Sequence, residues 1–387
     1  MVKPTFIFIP LQLISSAFNS ITSKITLQQE SKGYNNIQHC FDKPFFQAII
    51  MTLAMTFAFV VRRFWDSNGK GPHPPTPIRL RLLLAIPALC DLITAILNIF
   101  GLIFINLSIF QMLRSSQIIF TAFFSVFLLK KKIKNYEIVG IILVVISLIL
   151  VGWAGMYIPS NKDDPDNSQI SKIDSIREKL LGSLLVTFGQ VFISIQIILE
   201  EYIIQIKLKG KVGALEVIGN EGLMGLLITL TFLPIAFFCP GTDPSPFKNG
   251  SLENMWDSLL MIYNNPKLVI YFLCSFIFGS IYNICAMCVI TYTSSLTEAI
   301  IDAVSTLFVW IIMLVSYQIG LPYGEPWNLF SFVELAGFLL LITGNLIYNG
   351  QLKLPCFKYP TFDEIAEESL LDNTTQQSSM SYVQTLA

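Results

Sequence analysis

The residues of this chain that could do chemistry stand where such residues are rare. Arg114 sits among Gln111, Ser115, Ser116 and Gln117 at the head of an apolar run from Ile118 to Leu129. A guanidinium binds carboxylate or phosphate through paired hydrogen bonds. Arg114 therefore reads either as an anchor for an anionic solute or as half of a structural ion pair with Asp302 or Glu298. Glu298 and Asp302 are four residues apart and share one helix face. Two carboxylates in a low-dielectric cavity are chemistry suited to carrying a proton. Asn98, Asn283, Gln190 and Glu221 also interrupt apolar stretches, and each offers hydrogen bonds to a bound solute or to a neighbouring helix. Ionisable groups inside such stretches are costly, so they mark a functional site by default. Asp91 reads as an interfacial or helix-start residue, and Glu200 and Glu201 as the cytosolic boundary of a span.

The elements that must position these groups follow from composition. Of 387 residues, 53% are hydrophobic and only 13% charged, with a mean hydropathy of +0.63. A soluble domain carries about 25% charged residues, so the chain is expected to be an all-α polytopic membrane protein in contact with lipid. The net charge of −1 and the lack of a large basic patch argue against a nucleic-acid partner. The two histidines, His39 and His73, lie in loops, and no nucleophile–base pair or metal motif accompanies them, so neither an enzyme nor a cofactor is expected. Cys90, Cys274, Cys285 and Cys288 fall in apolar runs and read as small core residues, with no second CxxC at zinc spacing.

Read in order, the apolar runs give ten spans, the two of the central hairpin each about long enough for a ~30 Å hydrocarbon layer. The first is Phe6–Phe18, which reads as a polar-ended helix or as a signal peptide. Phe45–Val61 and Leu82–Ile105 follow, separated by a Gly- and Pro-rich loop. The fourth and fifth form a hairpin, Phe110–Leu129 and Ile138–Trp153, around Lys130, Lys131, Lys132 and Lys134. Gly182–Ile203, Val217–Phe238, Leu268–Ile290, Ala299–Tyr317 and Phe330–Tyr348 complete the set. Basic residues after spans two, four and six put those loops, and with them both termini, in the cytosol. Asn249 in an Asn-Gly-Ser sequon then faces the other side, as do Cys40 and Cys239, a disulfide pair only if the fold brings them together.

Spans three and eight match in one register, Asn98 with Asn283, Asn106 with Thr291 and Ser108 with Thr293. Spans five and ten match through Glu137-x-x-Gly140 and Glu334-x-x-Gly337. The expected organisation is residues 1–158 and 180–350 as two five-helix repeats, a linking loop at 159–179, and a disordered cytosolic tail at 351–387. Because five is odd, the second repeat inserts inverted. Inverted repeats are the architecture of secondary transporters, which bind solute between the halves and work by alternating access.

The segments PALCD (Pro87–Asp91), FQMLR (Phe110–Arg114), IIFTAFFSV (Ile118–Val126), LEE (Leu199–Glu201), GNEGLMG (Gly219–Gly225) and YNG (Tyr348–Gly350) resemble the drug/metabolite transporter superfamily. They are most similar to solute carrier family 35, subfamily F, in its endolysosomal branch. The resemblance implies ten helices in two inverted repeats and transport of a small polar metabolite, either a nucleotide sugar or an amino acid, peptide or organic ion. It also implies an endomembrane location, lysosome or vacuole or Golgi. Around Leu296–Ser305 the family is more basic, whereas this chain has Glu298 and Ser305, so the charge of the solute does not carry over. A transport-inactive scaffold that binds partner proteins is the competing reading. In the tail, Glu367–Leu371 and Tyr359–Phe362 look like sorting signals for adaptor proteins.

Overall fold

The computed structural model describes residues 5–67, 78–129, 134–157, 169–207, 213–241, 243–247, 250–293, 295–320, 324, 327, 329–348, 350, 352–355 and 357. The basic turn at Lys130–Lys132, the Asn249 sequon and the tail signals lie outside them.

The chain is a bundle of α-helices. The amino-terminal part contains α1 (Thr5–Leu27), α2 (Pro44–Thr56), α3 (Ala58–Ser67), α4 (Ile78–Leu83), α5 (Ala85–Phe104), α6 (Leu107–Arg114), α7 (Gln117–Leu129) and α8 (Asn135–Tyr157). The rest contains α9 (Gln169–Glu201), α10 (Ala214–Phe238), α11 (Met255–Asn264), α12 (Pro266–Tyr292), α13 (Ser295–Gln318) and α14 (Leu329–Tyr348). A short hairpin, β1 (Glu30–Lys32) and β2 (Gln38–Cys40), joins α1 to α2. Among the described residues, 7 helical stretches are long and apolar enough to cross a membrane, and Asn135–Leu150 and Val304–Gln318 are shorter apolar helices. This is an integral membrane protein.

Several runs that read as single spans are two helices in the structure. The second breaks at Phe57, between α2 and α3, and the third at Leu84, between α4 and α5. Apolar composition measures depth in the membrane and carries no signal for a kink that neighbouring helices satisfy. Conversely, α9 begins at Gln169, inside the polar stretch that reads as a loop, and α11 lies within what reads as the longest loop. Cys40 and Cys239 are not joined to each other by a disulfide.

The helices pack in pairs: α8 on α14, α5 on α9, α1 on α12 and α2 on α10. Two crossings are built on glycine. A Cβ added at Gly140 would lie 2.7 Å from the Gly344 carbonyl oxygen, and one at Gly101 would lie 2.9 Å from that of Gly182. Small residues let backbones in a membrane approach closely enough to gain dispersion contacts that lipid cannot outcompete. At its last turn α5 is held by Lys24 of α1, whose Nζ donates to the Leu102 and Ile105 carbonyls at 2.7 and 2.8 Å. A cation there satisfies carbonyls that have no partner within the helix and complements its dipole.

At one end of the bundle, the β1–β2 hairpin is clasped to the α10–α12 connection. Lys43, fully buried, pairs with Asp257 at 2.6 Å and with Asp243. His39 Nε2 lies 3.2 Å from Asp257 Oδ2, and the Tyr34 amide donates to Asp257 Oδ1 at 2.6 Å. Both Glu253 oxygens accept amide hydrogens from the first turn of α2, from Phe45 at 2.7 Å and Phe46 at 2.8 Å. Pro44 opens that helix, so a carboxylate more than 200 residues away caps the donors that α2 cannot satisfy itself.

The titrations of this clasp have a consistent sense. The hydrogen bond from His39 to Asp257 raises the imidazole above its usual value, against burial. Burial pushes Glu253 up to about 8, and it also raises Asp243 although Lys43 pulls the other way. Burial pushes Asp257 up too, but His39, Lys43 and the Tyr34 amide outweigh it and hold the group at about 2. Stability from His39 is complete below its unfolded value of 6.5 and is lost as pH rises through its folded value. The raised carboxyls of Asp243 and Glu253 act in the same direction. Asp257 contributes above its unfolded 3.8 and is lost as pH falls toward 2. The clasp is therefore tightest in mildly acidic conditions.

Candidate functional site

A cavity of about 210 Å³ lies among α1, α2, α5, α6, α7, α9, α10, α12 and α13. Its wall mixes apolar groups such as Ile193, Ile197 and Met287 with hydroxyl, amide and carboxyl groups. The polar knot at its edge is shaped by a break. The amides of Ser115 and Ser116 bond back three residues, to Met112 at 3.1 Å and Leu113 at 3.0 Å. This tight turn ends α6 at Arg114 and starts α7 at Gln117.

From that turn, Arg114 Nη2 donates to both oxygens of Asp302 on α13, at 3.1 and 2.8 Å. Tyr282 Oη of α12 donates to the same carboxylate at 3.2 Å. One turn away Glu298 accepts from Gln12 at 3.5 Å and Gln117 at 3.4 Å. Gln190 of α9 donates to Asn98 of α5 at 3.1 Å. Asn283 instead donates to the Gly279 carbonyl of its own helix at 2.8 Å.

Of the residues singled out in the sequence, Arg114, Gln117, Asn98, Gln190, Asn283 and Glu298 therefore line the cavity. Asp302 stands behind Arg114 as its counter-ion. Glu221 is fully buried on α10 and accepts from Gln196 at 3.0 Å, behind the wall rather than on it. Asn98 and Asn283 are not bonded to each other but to Gln190 and Gly279 respectively.

Two acids that read as boundary residues turn out to be cavity residues. Asp91 and Glu200 are 7% and 3% exposed and both line the wall. Glu200 lies near the end of its apolar run and Asp91 well inside one that opens with basic residues, and position along a run does not tell which way the helix face points. Glu201, the next residue along, is also buried, and accepts from the amide of Ser295 at 3.3 Å and from its hydroxyl, at the start of α13. Gln196, one of the polar residues that cluster in sequence on spans six and seven, organises them: its amide joins Glu200 to Glu221.

His39, Asp243 and Asp257 are close enough together to hold a metal ion, but the Lys43 ammonium pairs with both aspartates there. A cation already fills the place an ion would take.

Residues 5–153 match the EamA-like transporter family. Over 380 residues the chain is 28% identical to solute carrier family 35 member F6 of Rattus norvegicus, covering 94% of this chain and 95% of that protein. The Homo sapiens protein of the same name is 28% identical over 378 residues, with 94% and 95% covered. An uncharacterised protein of Schizosaccharomyces pombe is 27% identical over 301 residues, 77% of this chain and 83% of its own length. One solved structure aligns with a TM-score of 0.47 at 14% identity, over 89% of this chain and 99% of its own, too slight a likeness to bear on the architecture. The chain is thus a membrane protein that is similar over most of its length to subfamily F of solute carrier family 35, with its amino-terminal part matching the EamA-like transporter family.

Proposed function

We propose that this protein is a secondary transporter that carries a small polar solute by alternating access across an internal membrane, with both termini in the cytosol. The observation that carries the reading is the packing pattern. Take α1, α2–α3, α4–α5, α6–α7 and α8 as one half, and α9, α10, α12, α13 and α14 as the other. Exchanging the halves turns the α5–α9 contact into α12–α1, α7–α9 into α13–α1, and α2–α12 into α10–α5, all of which occur. The α2–α10 and α8–α14 contacts map onto themselves. A pattern unchanged by that exchange is what a pseudo-twofold arrangement of two inverted repeats produces, and the cavity lies where the halves meet.

The clasp of Lys43 with Asp243 and Asp257 joins the two halves at one end. Arg62, toward the far end of the α2–α3 run from Lys43, pairs with Glu216 of α10 in the other half at 2.9 Å. Small groups of breakable polar contacts at opposite ends of a central cavity suit a protein that opens one end at a time. The cavity carboxyls Glu298, Asp91 and Glu200 are groups through which protons could be coupled to solute movement.

The purified protein in proteoliposomes should exchange an internal solute for an external labelled one. Flux that saturates and depends on the protein supports the reading. A complete lack of flux across cationic, zwitterionic and anionic solutes, with partner proteins co-purifying instead, would favour a scaffold.

A further inference from the structure

The acids at the α5, α9 and α10 side of the cavity pose a question that the Arg114 side does not. Arg114 is the one Lys, Arg or His side chain on the wall among the described residues, and it is engaged by Asp302. Asp91 and Glu200 also line the wall, and no ion pair among the described residues gives either a cationic partner.

Between them sits Gln196, 6% exposed. Its Nε2 donates to Glu200 Oε1 at 2.9 Å and to Glu221 Oε1 at 3.0 Å. Both amide hydrogens are thereby used, which fixes the orientation of the group, because the reverse would turn its oxygen toward two carboxyls. The amide oxygen is left buried and has no hydrogen-bond partner, on a residue that lines the cavity. A buried acceptor without a donor is costly and unusual. In this corner the Gln196 donors are taken up by carboxyls, and what is left is the Gln196 oxygen beside Asp91 and Glu200, two wall acids without a cation. A ligand that satisfies them must bring several N–H donors, and one that neutralises them must be cationic. An ammonium has three donors and no acceptor. Next to the corner the wall is apolar, with Ile193, Ile197, Ile218 and Met287.

We propose that Asp91, Gln196 and Glu200 form a subsite for the protonated amine of a solute whose remaining body is apolar. The inference rests on the transporter reading for its physiological meaning, but the subsite can be tested without it. It sets a small organic amine above a nucleotide sugar as the solute class, because a phosphate in this corner would meet two acids without a cation.

Three probes share one body and differ in the charge of the head: 2-phenylethylamine, 2-phenylethanol and 3-phenylpropionate. Binding is read as a thermal shift and by calorimetry on the full chain in detergent. The expected result is saturable binding of the amine, weaker or absent binding of the alcohol, and none of the carboxylate. Asp91→Asn and Glu200→Gln, near-isosteric changes that each remove a buried acid, should leave the ligand-free Tm unchanged or raised and weaken amine binding at least tenfold. Either variant suffices if the other does not fold. Failure of the amine to bind, equal binding of the alcohol, preference for the carboxylate, or amine binding untouched by the substitutions would each overturn the subsite. Flux in proteoliposomes separates this from the wider reading. Amine binding without flux of any solute keeps the subsite and removes the transporter. Flux of uridine monophosphate without amine binding keeps the transporter and removes the subsite.

Discussion

Replacing Lys43 by methionine is expected to destabilise the protein by about 3–5 kcal/mol, the range for breaking a buried ion pair from one side. The lysine side chain is fully buried, as is that of Asp257, while Asp243 is 7% exposed. Loss of the ammonium leaves Asp243 without its counter-charge and Asp257 with His39 alone, and the methionine stem fills much of the same space. Electrostatics is therefore the main variable. Chemical denaturation in detergent measures the effect, and Lys43→Met combined with Asp243→Asn and Asp257→Asn should recover a large part of it. The pH dependence belongs to the same device. The wild-type Tm should fall as pH rises from 5.5 to 8, because His39 loses its proton and the raised carboxyls of Asp243 and Glu253 lose theirs. His39→Gln should flatten that slope. A loss below about 1 kcal/mol for Lys43→Met, typical of exposed pairs, would contradict the clasp as described.

The second large effect is expected at Arg114 and Asp302, and here stability and transport should separate. Either Arg114→Met or Asp302→Leu leaves one charge buried, with only Tyr282 still on the carboxylate in the first case. Each single variant should lose stability, again by about 3–5 kcal/mol. The double variant, apolar at both positions, should regain most of it, since well-packed hydrophobic pairs replace buried ion pairs without loss in many proteins. Such values amount to strong coupling in the cycle, at least about 4 kcal/mol, because the two single losses sum to far more than the loss in the double variant. Flux should not return with stability, because the pair links α6 and α13 across the two halves and its making and breaking would accompany the change of access. Full flux in the stable double variant would reduce the pair to a structural role.

How much of this was legible beforehand varied with the kind of signal. The ends of α10, α12 and α14 follow from where apolar runs meet polar residues. The pairing of Arg114 with Asp302 could be named as an option because each is an isolated charge in an apolar run with few possible partners. The clasp could not be anticipated. His39, Lys43, Asp243 and Asp257 are ordinary loop residues, and they meet only after the hairpin folds against a connection 200 residues later. The cavity role of Asp91 and Glu200 was hidden for another reason. Glu200 lies near the end of its run and Asp91 follows Pro87 in a run flanked by Arg79 and Arg81, places where a carboxyl turned to water and one turned inward look alike in sequence. Gln196, neutral and within an apolar stretch, gave no sign that its two donors were both committed.

The most direct test of alternating access is to prevent one end from opening. Lys32 and Asn264 face each other across the clasp, the Asn264 side chain donating to the Lys32 carbonyl at 2.7 Å. With native cysteines replaced, Lys32→Cys and Asn264→Cys can be joined by a short bifunctional thiol reagent that carries a reducible link. Flux of the solute identified in proteoliposomes is then measured before joining, after joining and after reduction. The account predicts that flux stops in the joined protein and returns on reduction, while solute binding from the opposite face persists throughout. Undiminished flux through the joined protein would contradict it.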